Sequence, residues 1–211
     1  MKLKYLLLLL VFLGSLSAIS YRVTQAFFSD TATSTGNVFT AATEFPAPPV
    51  AGPQAGDVVI NEVFAGGSST TEWVEILNKT ASPIDISGWT ITDNGSSDAI
   101  PASTILPANG YGVIRGPSST VVVPGSAITI DLSTAIGSGL SSSDDRLTLS
   151  STTPTIIDQV SWGTDTTAFD PSAPSQTGGE SLARFPDGTD TNSATDWGLD
   201  ASPTVGIVNS L

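Results

Sequence analysis

Three closely spaced glutamates, Glu62, Glu72 and Glu75, are the residues of this chain best placed by type for acid–base chemistry. A glycosidase would need two such carboxyls facing each other about 5–10 Å apart across a cleft. Two loops are also rich in oxygen ligands. Residues 93–98 read Asp-Asn-Gly-Ser-Ser-Asp; residues 187–192 read Asp-Gly-Thr-Asp-Thr-Asn, with Asp196 following. Calcium takes about six to eight oxygens from carboxylates, amides and carbonyls, which makes Asp187, Asp190, Asn192 and Asp196 calcium candidates. Neither loop has the spacing of a helix–loop–helix calcium site, and Asp-Gly and Asn-Gly are ordinary turn formers. A plain turn is therefore the competing reading. Most other chemistry is excluded, because the chain has no histidine and no cysteine. No disulfide, thiolate nucleophile, Cys/His zinc site or Ser-His-Asp triad can be built, and no cofactor is expected.

The charge balance narrows the partners. Seven Lys and Arg stand against twenty Asp and Glu, a net charge of −13 over 211 residues. Duplex nucleic acid is bound by cations that displace counterions from phosphate, so it is not an expected partner. Lys79, Arg115, Arg146 and Arg184 are scattered rather than clustered. An isolated arginine such as Arg184 is expected to pair with a nearby acid or to cap a backbone turn. Gly66-Gly67 and Gly178-Gly179 lack the lysine and helix of a phosphate loop.

The elements that would carry these residues begin with an export signal. Lys2 and Lys4 precede an apolar run from Tyr5 to Leu13, and small residues follow to Ser20. That order is a secretory signal's, and nine apolar residues fall well short of the ~20 that span a bilayer. Residues 1–26 are thus expected to be a signal peptide or, if uncleaved, a membrane anchor, and the product secreted or held at the cell surface. Thr24-Gln25-Ala26 suits cleavage, which would remove Lys2, Lys4 and Arg22 and leave four cations against twenty acids, −16. Residues 27–44 form an exported segment and residues 45–56, FPAPPVAGPQAG, a stiff Pro-rich linker. In FFSDTATSTGNVFTAA (27–42), together with Ala26, the residues Phe28, Asp30, Ser34, Gly36, Asn37, Phe39 and Ala41 follow an A-F-x-D-x-x-x-S-x-G-N-x-F-x-A pattern. This resembles the mature start of camelysin-type biofilm-matrix fibre proteins, with Ala42 where that pattern has glycine.

Residues 57–211 read as one all-β domain. Short Val-, Ile-, Thr- and Trp-rich runs alternate with Gly, Ser, Asn, Asp and Pro clusters. Strands are expected near 57–64, 73–78, 84–86, 89–93, 111–115, 128–132, 146–150, 156–162 and 181–185. Such spacing favours a sandwich. Trp73 and Trp89 are expected in its core, whereas Trp162 and Trp197 could be core residues or a surface platform for stacking a sugar.

The motifs along this domain resemble the lamin tail domain, a family with an immunoglobulin-like β-sandwich. VVINEVF (58–64) is similar to its first strand, with Asn61 and Glu62. EWVEILN (72–78), with Glu72, Trp73, Glu75 and Asn78, is similar to its E-W-V-E-x-x-N signature. IDISGWTITD (84–93), with Gly88 and Trp89, ILPANGYGVI, DDRLTLS, IIDQVSWG and ESLARFPDGTD, with Arg184, follow in the family's order. The ending SPTVGIVN separates Pro203 from Gly206, which the family's T-P-G-x-x-N places together. The resemblance makes the strands of Glu62 and Glu75 neighbours. It also implies that these acids tie strand ends to loops rather than catalyse. The DNA association of nuclear lamin tails is not carried over to so acidic a chain. What it implies is a non-enzymatic, exported binding protein of bacterial surface type whose partner is a surface protein or glycan. The alternative is a fibre subunit, self-associating by strand addition through residues 27–42, and the weakest reading is a carboxylate hydrolase.

Overall fold

The computed structural model describes residues 52–210 apart from 67, 69 and 154. The signal, the exported segment and most of the Pro-rich linker lie outside the described residues. Twelve strands follow: β1 (Val58–Phe64), β2 (Trp73–Asn78), β3 (Ile84–Asp85), β4 (Thr90–Thr92), β5 (Ser97–Ala99), β6 (Ile105–Leu106), β7 (Tyr111–Arg115), β8 (Ile128–Asp131), β9 (Asp145–Ser150), β10 (Ile156–Trp162), β11 (Ser181–Arg184) and β12 (Trp197–Asp200). One turn of 3-10 helix, η1 (Ala194–Asp196), precedes β12 and is opened by a capping box between Ser193 and Asp196.

The strands form a six-stranded sheet, β12-β11-β1-β2-β7-β8, a four-stranded sheet, β10-β9-β4-β5, and the pair β3-β6. All pairings are antiparallel except β7 with β8. The two larger sheets enclose the core. Strict alternation in β9, Asp145 to Ser150, turns Leu147 and Leu149 inward and leaves Arg146, Thr148 and Ser150 partly exposed. Ile60, Ile76, Ile114 and Leu182 meet Ile91, Leu147, Leu149, Val160 and Trp162 across the gap. Each such side chain, fully buried, contributes about 1.5–3 kcal/mol by leaving water. This is an immunoglobulin-like β-sandwich, as the motif order implies.

The six-stranded sheet is covered on both sides. Val59, Leu77, Val113 and Ala183 are buried yet stand apart from the main core. They alternate with core residues, so they point to the sheet's other face, where Asp187, Gly188, Thr204, Gly206 and Asn209 meet the sheet. A sheet buried on both sides loses its apolar–polar alternation. β2 is accordingly buried at all six positions.

Several expectations need correction. Trp162 and Trp197 are 0% and 7% exposed, so neither is a sugar-stacking platform. The indole of Trp162 fills the core and donates to the Ser141 carbonyl at 2.8 Å. The strand expected at 84–86 stops at Asp85, and that at 89–93 covers only Thr90–Thr92. Those expected at 128–132 and 181–185 each end one residue early. β5, β6 and β12 were not expected, being short runs dominated by Ser, Asp, Gly or a lone apolar pair.

Candidate functional site

Glu62 and Glu75, two of the three glutamates singled out from the sequence, gather with Asp187 on the outer face of the six-stranded sheet. Glu72 lies apart, near Asp93 and Asp145. A bulge inserts one extra residue in β1: Ile60 pairs with Ile76, and the next pair is Glu62 with Glu75. Asn61 and Glu62 consequently both face outward, beside Glu75. The Glu62 carboxylate accepts from Ser181 Oγ at 2.5 Å and from Thr204 N and Thr204 Oγ1, each at 3.1 Å. Glu75 accepts from Asn61 Nδ2 at 2.7 Å and Gly206 N at 2.6 Å. Asp187 accepts from Tyr111 Oη at 2.8 Å, Asn61 Nδ2 at 2.9 Å and Asn209 N at 3.0 Å. Asn209 Nδ2 donates to the carbonyls of Asn61 and Arg184. The relaxed spacing between Pro203 and Gly206 still delivers Gly206 and Asn209 to this network. Gly206 takes a φ of +73°, which suits glycine.

Burial dominates the electrostatics of this cluster. It raises the Glu75 carboxyl to about 8, against the pull of the Asn61 amide and with the help of the Glu62 charge. Glu62 is raised as well, chiefly by burial and in small part by Asp200, although Ser181 and Thr204 donate to it. Burial, then the bond to Asp187, raises the Tyr111 hydroxyl. Two adjacent carboxyls of high pKa would suit general acid chemistry in an open cleft. Here Thr204 and Gly206 of the chain's own tail occupy their oxygens.

A second buried network lies between the sheets around Arg184, which is 1% exposed. The bulge of β1 frees Ile60 N, and Asp158 of β10 takes it at 2.7 Å. Arg184 Nε donates to the Ile60 carbonyl and Nη2 to Asp158 at 2.9 Å. Nη1 reaches the Thr189 carbonyl, Asp190 at 3.3 Å and Asp196 at 3.4 Å. The guanidinium also rests on the Trp197 ring, 4.4 Å from its centre. Burial lifts Asp158 to about 6, a rise that the Arg184 charge only partly offsets. Asp196 moves the other way: despite its burial, donors from Thr191 and Ser193 and the Arg184 charge hold it low.

The calcium candidates are therefore divided. Asp187 belongs to the outer cluster, Asp190 and Asp196 to Arg184, and Asn192 forms an exposed turn with φ +55°. Among the described residues no three acidic side chains are grouped as a metal would require. In the other loop Asp93 accepts from Gly95 N, Ser96 N and Ser138, pinning the β4–β5 turn to residue 138. Asn78 closes a different corner through Ser82 O and Pro107 O. Gly88 takes a φ of +73° and admits Trp89, 3% exposed, to the core. Trp73, also 3% exposed, stacks on Phe64 at 5.9 Å on the outer face. Glu72 is buried with one carboxylate oxygen unpartnered. A separate hollow of about 370 Å³ is lined by Pro53, Asp57, Thr80, Pro83, Ile84 and Asp85.

Sequence reasoning did not single out Asp158, Thr204 or Asn209. The signal was present for Asp158, a lone acid within an apolar strand run, where burial demands a partner. Asn209 closes the G-x-x-N of the ending, but its partners, like those of Thr204, could not be read because they are long-range contacts.

Fold and site together define an immunoglobulin-like scaffold whose buried acids organise its own loops. The chain belongs to the Lamin Tail Domain family, whose model matches residues 51–164, more than half of its length. The match runs through β10, and β11 and β12 complete the same sheet as β1. The chain matches no curated protein in the comparison.

Proposed function

We propose that this chain is an exported, non-enzymatic binding protein of the cell surface or extracellular matrix, with the lamin tail domain making the contact. The observation that carries the non-catalytic part is the occupancy of Glu62 and Glu75: their oxygens are bonded to Ser181, Asn61, Thr204 and Gly206 of the same chain. A hydrolase needs its paired carboxyls open to substrate. Export is supported by the order of charges, apolar run and small residues in 1–26. Among the described residues no helix is long and apolar enough to cross a membrane.

For the contact surface we favour a protein partner at Phe185, Ile207 and Val208, which are 48%, 47% and 61% exposed. Asn209, bonded to the Arg184 carbonyl, ties the segment of Ile207 and Val208 to the strand end that leads into Phe185. Large apolar groups left exposed on neighbouring segments mark interaction sites. A glycan partner would instead use the hollow near Pro53 and Asp85. The triple change of Phe185, Ile207 and Val208 to serine should abolish capture of the surface partner while leaving the thermal melt intact. Retained capture would move the contact to the hollow. Fractionation with N-terminal sequencing tests export; a product confined to the cytoplasm defeats it.

A second reading has one observation in its favour. The six-stranded sheet ends in β8 and β12, neither of which has a further strand partner among the described residues. Such edges accept added strands. On this reading residues 27–42 of a neighbouring chain extend the sheet into a fibre. Imaging the chain with and without 27–42 separates the two: fibres that vanish on deletion would establish assembly.

A further inference from the structure

The chain contains two Asn-x-Ser/Thr triplets, Asn78-Lys79-Thr80 and Asn94-Gly95-Ser96, neither with proline in the middle. Such a triplet accepts an N-linked glycan on exported proteins when it lies at the surface. The fold separates the two. Asn78, at the end of β2, is 0% exposed and its side chain is fully engaged. Its Nδ2 donates to the carbonyls of Ser82 and Pro107, each at 2.9 Å. Its Oδ1 accepts from Thr80 N at 2.9 Å and from Thr80 Oγ1 at 2.8 Å. The hydroxyl of that triplet is thus turned back onto its own asparagine, and a transferase could reach neither group without opening the corner. Asn94-Gly95-Ser96 is placed in the opposite way. Thr92 pairs with Ser97 as the last rung between β4 and β5, and Asp93 N donates to the Ser96 carbonyl at 3.1 Å. The triplet is therefore the tip of the hairpin, and its backbone amides alone hold it. Gly95 N and Ser96 N donate to Asp93 at 2.7 and 2.6 Å, and Asn94 N donates to Asp145 at 3.4 Å. All three residues are exposed. Among the described residues, neither the side-chain amide of Asn94 nor the hydroxyl of Ser96 forms a hydrogen bond.

We propose that Asn94 is an attachment site for an N-linked glycan, donated by a lipid-phosphate-linked oligosaccharide through a membrane oligosaccharyltransferase. Such transfer requires export of the chain, so the site rests on the exported reading. In the reaction Asn94 Nδ2 attacks the anomeric carbon of the first sugar. A carbon–nitrogen bond forms, and the bond from that carbon to the lipid phosphate breaks. The phosphate leaves with the electron pair, and Nδ2 gives one proton to a base of the transferase. The fold tolerates the change, because the amide that reacts supports no other segment. The glycan would stand at the end of the four-stranded sheet, on the turn into β5, which has no strand partner beyond β4 among the described residues. A bulky polar group there obstructs strand addition along β5. Phe185, Ile207 and Val208 follow β11 and β12, so glycan and protein contact would be carried by different sheets.

Mass spectrometry of the full chain recovered from its own cells tests this. The peptide containing Asn94 should carry the glycan, and the peptide containing Asn78 should be bare. Asn94→Gln and Ser96→Ala should each abolish the modification with the thermal melt unchanged, since neither side chain holds the turn. An exported chain that is bare at Asn94, or altered there only to aspartate by deamidation, overturns the proposal. A chain found only in the cytoplasm defeats export, and the glycan with it. A second arm isolates the geometry. Purified, folded full chain is incubated with an oligosaccharyltransferase and a lipid-linked oligosaccharide, with a synthetic peptide of residues 90–99 as control. Modification at Asn94 and not at Asn78 is expected. A folded chain refused at Asn94 while the peptide is accepted shows the turn closed to the enzyme, and that also overturns the proposal.

Discussion

Arg184 shows how one side chain can govern several segments of this fold. A buried guanidinium is tolerable only when it is paired and hydrogen-bonded, and here β1, β10, the 189–190 turn and η1 all supply acceptors. Removing it takes from Asp158 its ion-pair partner between the sheets and from the Ile60 and Thr189 carbonyls their donor. Arg184→Met should therefore cost about 3–5 kcal/mol in chemical denaturation. Arg184→Lys should recover little, because a point charge cannot serve the carbonyls and carboxylates at once. The glutamates act oppositely. Glu75 binds a proton in the folded state that the unfolded chain has already lost above 4.5, so stability falls as pH rises from there to about 8. Asp158, raised to about 6, acts in the same direction. Asp196 is held low, so its contribution is lost only in stronger acid. Thermal melts should accordingly peak in mild acid and lie at least about 5 °C lower at pH 9. Glu75→Gln should flatten the alkaline limb. That Arg184 would seek acids was legible in the sequence from its isolation in an acidic chain. Which acids it meets was not, since Asp158 lies 26 positions away.

At the scale of elements, two bulges explain why the sandwich holds its geometry. β1 carries one at Asn61, and β10 carries another at Ile157, whose carbonyl accepts from Gly56 N. Each frees backbone groups that the opposite sheet or the linker then satisfies. The strands with dense apolar content, β2, β7 and β10, were legible to the residue and β1 to within one, because their ends coincide with Asn, Gly or Ser clusters. β5 and β12 were not. Ser97–Ala99 has no apolar face, and it exists because Thr90–Thr92 offers it a ladder. Turns impose the sharpest local demand at Gly163, where φ is +70° and a methyl group would strike the Ser143 carbonyl. Gly163→Ala should thus cost more than about 2 kcal/mol, seen as a lower denaturation midpoint with unchanged slope.

For the whole molecule, charge sets the behaviour. The described residues hold four cations against eighteen acids, −14, and three of the cations are already committed to ion pairs. Self-repulsion of this size is relieved by salt. Raising sodium chloride from low to near-physiological ionic strength should therefore raise the melting temperature by a few degrees. Millimolar calcium at matched ionic strength should add nothing further, because Asp187, Asp190 and Asp196 are already engaged by donors and by Arg184. A calcium-specific rise would restore the metal reading of residues 187–196. The central place of β1 has a mechanical consequence. The linker runs directly into β1, which is flanked on both sides by antiparallel partners, β2 and β11. Ladder bonds lie perpendicular to such strands. A pull on the linker along β1 would load those bonds side by side, in shear, rather than peel them one after another. A domain tethered by its N-terminal side would then resist flow or traction far better than its thermal stability alone suggests, and single-molecule pulling from residue 52 would measure that resistance.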